Sequence, residues 1–73
     1  MEKRSLSIAG HRTSMALEPE FWEALEAIAA EAGVALPNLI RTIDEQRTTN
    51  NLSSAARLAV LAWYRAKAEL PPG

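Results

Sequence analysis

The run His11–Leu17 (HRTSMAL) has the alternation of a half-buried strand, and the sequence offers no second strand anywhere to pair with it. A lone strand leaves its backbone N–H and C=O groups without partners, and even a two-stranded hairpin is marginal in water. The expectation is that the partner comes from a second copy of the chain. A short strand can pair antiparallel with itself about a twofold axis, the commonest symmetry of oligomers. The sequence therefore predicts an obligate homodimer on an intermolecular two-stranded ribbon, mainly α otherwise, with one short N-terminal strand per chain.

Alternation divides that strand into two faces. Thr13, Met15 and Leu17 form one, with Met15 and Leu17 suited to a core, and Arg12, Ser14 and Ala16 form the other. A two-stranded ribbon covered by helices on one face has the width to enter the DNA major groove with the other. There Arg can fork onto guanine O6 and N7, Ser can donate or accept, and Ala can touch a thymine methyl. Arg12, Ser14 and Ala16 are thus candidate base contacts.

A chain of 73 residues forms one domain and buries too little surface to be robust alone. It has no cysteine and a single histidine, His11, so neither a disulfide nor a metal site is expected to staple it, and no cofactor is implied. Dimerisation is the remaining staple, and 48% apolar residues suffice for a shared core. No apolar run is long enough for a membrane span, and no secretory signal follows Lys3 and Arg4, so the expected location is the cytoplasm. The net charge of −1 is unusual for a nucleic-acid binder, but its distribution is uneven. Through Leu17 the chain has Lys3, Arg4 and Arg12 against Glu2, whereas from Glu18 to Gly33 it has Glu18, Glu20, Glu23, Glu26 and Glu31 and no base.

Residues 1–10 are expected to be a flexible basic arm in which Lys3 and Arg4 meet phosphate, although Leu6 and Ile8 alternate with Ser5 and Ser7 and part of it could extend the strand. The remainder, 11–73, is read as the folded domain: strand 11–17, then helices 19–32, 37–46 and 53–68. Pro19 suits a first helical position, Phe21, Leu25, Ile28 and Ala32 recur at helical spacing with Trp22 and Ala29 beside them, and Gly33 closes the helix. Glu23, Glu26 and Glu31 make a solvated face. Pro37 opens the second helix, with Leu36, Leu39, Ile40 and Ile43 on its buried side. Its start, Ala35 to Asn38, either holds a phosphate at the helix N-terminus or simply caps a helix. The third helix ends before Pro71-Pro72-Gly73 and has one charge, Arg57, between Ala55 and Tyr64. Such a helix implies burial on most sides and between subunits, with Arg57 partly exposed or paired to an acid such as Asp44. The expected dimer core is Met15, Leu17, Leu25, Ile28, Leu39, Ile40, Ile43, Leu58 and Leu61.

This order of elements resembles the ribbon-helix-helix DNA-binding family. The runs Arg4-Ser5-Leu6, Gly10-His11-Arg12-Thr13-Ser14, Leu17-Glu18-Pro19-Glu20-Phe21-Trp22 and Asn51-Leu52-Ser53-Ser54-Ala55 look like a bacterial subgroup of small proteins of that family. The resemblance implies paired strands in the major groove. It carries the reading positions onto Arg12, Ser14 and Ala16, and the phosphate-binding turn onto Val34, Ala35 and Leu36. The chain departs from the pattern at Ala16, where a polar residue is more usual, at Ala35, where Ser is common, and in having three helices where the family has two. Either 37–46 is the family's second helix and a third is appended, which is preferred, or 53–68 is the second helix and the phosphate-binding turn is Asn51, Leu52 and Ser53.

The resulting expectation is a dimeric, sequence-preferring binder of double-stranded DNA, a transcriptional regulator or repressor that can form higher oligomers on DNA. The alternative is a protein-interaction module, antitoxin-like or scaffold, whose partner docks on the third helix around Trp63 and Tyr64. An enzyme is not expected, because the acids sit at solvated spacing and neither a Cys nor a Gly-rich phosphate loop is present.

Overall fold

In the computed structural model the strand His11–Leu17 finds its partner inside the chain, paired antiparallel with Glu2–Ile8. The structure describes residues 1–69. The element order is β1 (Glu2–Ile8), β2 (His11–Leu17), α1 (Pro19–Ala32), α2 (Leu36–Gln46) and α3 (Leu52–Ala68). The expected helix stop at Pro71-Pro72-Gly73 lies outside the described residues.

Two sequence expectations are corrected by β1. The chain has two strands instead of one, and residues 2–8 are strand instead of flexible arm. Within the chain β2 pairs with β1 in a register from Ile8↔His11 to Glu2↔Leu17. A two-residue turn reverses the chain, with φ of 51° at Ala9 and 84° at Gly10. Positive φ at both central residues belongs to the hairpin turn whose twist matches that of paired strands. Glycine accepts this at no steric cost, but alanine does not. Ala9→Asn is accordingly expected to stabilise the fold by about 1 kcal/mol, because Asn tolerates left-handed backbone. In a chain of this size that is a rise of about 4–8 °C in the midpoint of thermal unfolding by circular dichroism; an unchanged or lower midpoint would contradict strain at Ala9.

The sheet's inner face closes on the helices. Ile8, Met15 and Leu17 are buried, together with Trp22, Leu25, Ile28 and Ala29 of α1, Ile40 and Ile43 of α2, and Ala55, Ala56 and Val60 of α3. The buried row of α1 is therefore turned from the expected Phe21 and Ala32 toward Trp22, with Phe21 partly buried and Ala32 exposed. The reason is visible at Trp22, which is fully buried and whose Nε1 donates to the Glu2 carbonyl at 2.8 Å, tying β1 to α1. Gly33 ends α1 with φ 72°, and the N–H of Val34 reaches the Ala29 carbonyl at 3.0 Å, the bond pattern of a left-handed helix C-cap. The side chain of Asn51 caps α3 by accepting from the Ser54 N–H at 3.1 Å.

A burial on most sides was expected for α3, and the structure buries only one side of it. Leu58, Leu61 and Tyr64 remain 58%, 51% and 46% exposed. Arg57 does not pair with Asp44, which takes Arg47 instead at 2.7 Å. It donates to the Glu18 carboxylate at 3.0 Å and lies over the Phe21 ring, joining α3 to the start of α1. Hydrogen bonding from its own backbone and then from Arg57 holds the Glu18 carboxyl below its ordinary value. A carboxyl so lowered adds stability above its unfolded pKa and loses it as pH falls through the folded one. The midpoint of unfolding is thus expected to drop as pH falls below about 4.5, and to drop less steeply in Glu18→Gln; parallel acid limbs in the two proteins would remove Glu18 as a contributor. Among the described residues, no helix is long and apolar enough to cross a membrane.

Candidate nucleic-acid interface

The outer face of the hairpin follows from register and alternation together. With Met15 and Leu17 buried, the even-numbered residues of β2 point outward, and pairing places the odd-numbered residues of β1 beside them. Three cross-strand rungs result: Lys3 with Ala16, Ser5 with Ser14, and Ser7 with Arg12. Lys3, Ser5, Ser7, Arg12 and Ser14 are exposed, and Ala16 is half-buried. The hydroxyls of Ser5 and Ser14 lie 3.3 Å apart.

Charge on this face is one-signed. None of its six residues is acidic, and among the described residues neither Lys3 nor Arg12 enters an ion pair. Most of the other cations are answered locally, Arg41 by Glu45, Arg47 by Asp44, Arg57 by Glu18 and Lys67 by Glu31. The weakly negative total charge thus conceals a patch where positive charge is left free to attract an anion. Small hydroxyl side chains between the two cations keep the face low, so a ligand can approach the backbone.

Of the candidate base contacts, Arg12, Ser14 and Ala16 lie together on this face. Lys3 joins them, but Arg4 does not. Arg4 occupies the inner side of β1, where it stacks over the Trp22 ring at 4.6 Å, bonds Glu26 at 2.6 Å and also bonds Glu2. The bonds to Glu26 and Glu2 raise its pKa and fix it as a clamp between β1 and α1. Ser5 and Ser7 were missed as members of the face. The signal for them was the alternation of Ser5-Leu6-Ser7-Ile8 followed by Ala9-Gly10, which reads as strand and turn once Ala9 is allowed a left-handed conformation.

The two alternatives for the phosphate-binding turn are placed differently. Asn51, Leu52 and Ser53, at the start of α3, share a cleft of about 880 Å³ with Thr13, Ser14 and Met15 of β2. Val34, Ala35, Leu36 and Asn38, at the start of α2, do not line it. Within one chain, then, the helix start beside the strand is that of α3. Of the expected dimer core, Met15, Leu17, Leu25, Ile28, Ile40 and Ile43 are buried within a single chain, Leu39 packs partly against them, and Leu58 and Leu61 are exposed.

Comparison with known families gives one match, to the ribbon-helix-helix domain, over residues 1–64. No curated protein and no solved structure matches the chain.

Proposed function

Because the chain belongs to the ribbon-helix-helix family, whose members generally bind DNA as dimers and are typically non-enzymatic, we propose that it is a dimeric, sequence-preferring DNA-binding protein, a transcriptional regulator acting as a repressor. The single observation that carries this reading is the outer ribbon face, where Lys3 and Arg12 stand without ion pairs and without a carboxylate among their neighbours on the face. In this reading the ribbon enters the major groove, Arg12 forks onto guanine, Ser14 supports it, and Ala16 touches a thymine methyl. Lys3 contacts phosphate, and a helix start gives further backbone N–H groups to phosphate. For that start the α3 turn at Asn51 is favoured over the α2 turn at Ala35 by its position beside β2.

The test is a fluorescence-anisotropy titration of the full chain against a mixed-sequence duplex at several salt concentrations. Binding should weaken with salt on a log–log slope of about −0.9 for each phosphate neutralised. No binding even at low salt would overturn the reading.

The exposed row Leu58, Leu61 and Tyr64 supports a second copy as the cover of α3 in this reading. It also favours a second reading of the same fold as a protein-interaction module, antitoxin-like or scaffold, whose foreign partner takes that row. Sedimentation separates the two. A dimer that Leu61→Glu converts to monomer assigns the row to a second copy, whereas a purified chain that is monomeric throughout leaves it to a different partner.

A further inference from the structure

We propose that the exposed row of α3 is covered by the outer face of α1 in a second copy, which is related to the first by a twofold axis running along these helices. The inference rests on the reading above that a second copy covers the row, and it names the surface that copy brings. It is independent of how the strands pair, and adds to any contact between strands.

Helices α1 and α3 lie side by side and run in the same direction. Arg57 meets Glu18 at 3.0 Å near the start of both, and Lys67 meets Glu31 at 2.8 Å near the end of both. Their buried sides belong to one core, so their outer sides form a common surface turned away from it. On that surface α3 contributes Leu58, Leu61 and Tyr64, and α1 contributes the exposed Glu20, Glu23, Ala27 and Ala30. Charge divides the surface by helix. Every charged residue of α1 is acidic and every charged residue of α3 is basic. Among the described residues Glu20, Glu23 and Arg65 enter no ion pair, so these charges remain to be answered from outside.

Two copies that meet on this surface about a twofold axis in its plane have two choices. An axis across the helices lays α1 on α1 and α3 on α3, acid against acid and base against base, an arrangement that costs free energy. An axis along the helices lays each α3 on the α1 of the other copy, base against acid, and covers both apolar rows at once. Charge selects the second. The side chains fit it as well. The two intrachain ion pairs set which turns of α1 and α3 are level, and the axis preserves that level between copies. Leu61 then comes over the hollow framed by Glu20, Glu23, Ala24 and Ala27 of the second copy, positions whose spacing surrounds a single hole on a helix surface. Two of the four are alanine, which leaves room for a leucine to enter. Arg65 follows one turn further along, toward Glu31 of the second copy. The contact lies across the core from the hairpin, so the outer faces of both hairpins stay free.

Two experiments on the full chain test this. The sequence has no cysteine, so introduced thiols report contacts without background. In the first, chains carrying Leu61→Cys and chains carrying Ala27→Cys, one of them lengthened by a tag, are mixed, oxidised and run on a non-reducing gel. The mixed disulfide is expected as the main product, since the two positions approach each other between copies. A main product of self-paired Leu61→Cys shows α3 lying on α3 and overturns the inference, and absence of the mixed disulfide overturns it too. Anisotropy with duplex DNA is read separately. A mixed disulfide without DNA binding removes the DNA-binding reading and keeps this contact, and DNA binding without the disulfide does the reverse. In the second experiment, sedimentation follows the association of Arg65→Glu, whose side chain is exposed and outside the core. An acid set against an acidic row should weaken association by about 2- to 5-fold, and less so at high salt. Unchanged or tighter association of this variant would overturn the inference.

Discussion

Replacing Trp22 with alanine is expected to destabilise the protein by about 3–5 kcal/mol, the usual cost of emptying a buried aromatic site. A chain of this length has a total stability of about 4–11 kcal/mol, so the loss removes from about a quarter to all of it. The effect is large here because one side chain serves three contacts. Its ring is fully buried between sheet and helices, its Nε1 bonds the Glu2 carbonyl, and its face supports the Arg4 guanidinium. Trp22→Phe separates these contributions. It keeps most of the ring but leaves the Glu2 carbonyl without its donor, and should cost about 1–3 kcal/mol. Denaturant titration followed by circular dichroism measures both, and equal midpoints for the two variants would mean that the hydrogen bond and not the ring's volume dominates.

The second large effect concerns affinity. Arg12→Ala should weaken binding to the preferred duplex by about 1–3 kcal/mol, a factor of roughly 5 to 150, and relax selection at one base pair. Lys3→Ala should act differently, weakening binding to all sequences alike and lowering the salt slope by about 0.9. Neither side chain takes part in the core or in an ion pair among the described residues, so both variants should unfold at the parent's midpoint. Anisotropy against preferred and scrambled duplexes distinguishes the two. If Arg12→Ala bound the preferred duplex as tightly as the parent, Arg12 would have no role in base recognition.

The sequence and the structure part company at the hairpin, and the reason is local. The change from period two to helical spacing after Leu17 is plain in the residues, as are the prolines at helix starts and Gly33 at a helix end, because apolar spacing and capping chemistry are written in side-chain type. The strand Glu2–Ile8 was harder to see, since Glu2, Lys3, Arg4, Ser5 and Ser7 give it the composition of a solvated tail. Only Leu6 and Ile8 mark its inner side. Its turn is equally inconspicuous, because Ala-Gly is not the Asn-Gly or Asp-Gly that signals such a reversal. Arg4 escaped for a related reason. Adjacent residues of a strand face opposite ways, so the neighbour of a phosphate candidate is directed inward, and here Glu2, Glu26 and Trp22 wait for it. On α3, apolar composition nearly all round implies burial on most sides. The structure buries Ala55, Ala56 and Val60, packs Leu52, Ala59 and Trp63 partly against the core, and leaves Leu58, Leu61 and Tyr64 outside.

The two faces of the hairpin have a consequence for how the chain can change over generations. Ile8, Met15, Leu17 and the Arg4 clamp are bound to the core, whereas Lys3, Ser5, Ser7, Arg12 and Ser14 are exposed, Ala16 is half-buried, and none of the six belongs to the buried core. Substitutions at the second set leave the packed interior alone, and a library varying those six positions should contain mostly folded members. Recognition is thereby free to drift while the scaffold stays put. New binding preferences lie a few single-residue steps away, with no unfolded intermediate to cross between them.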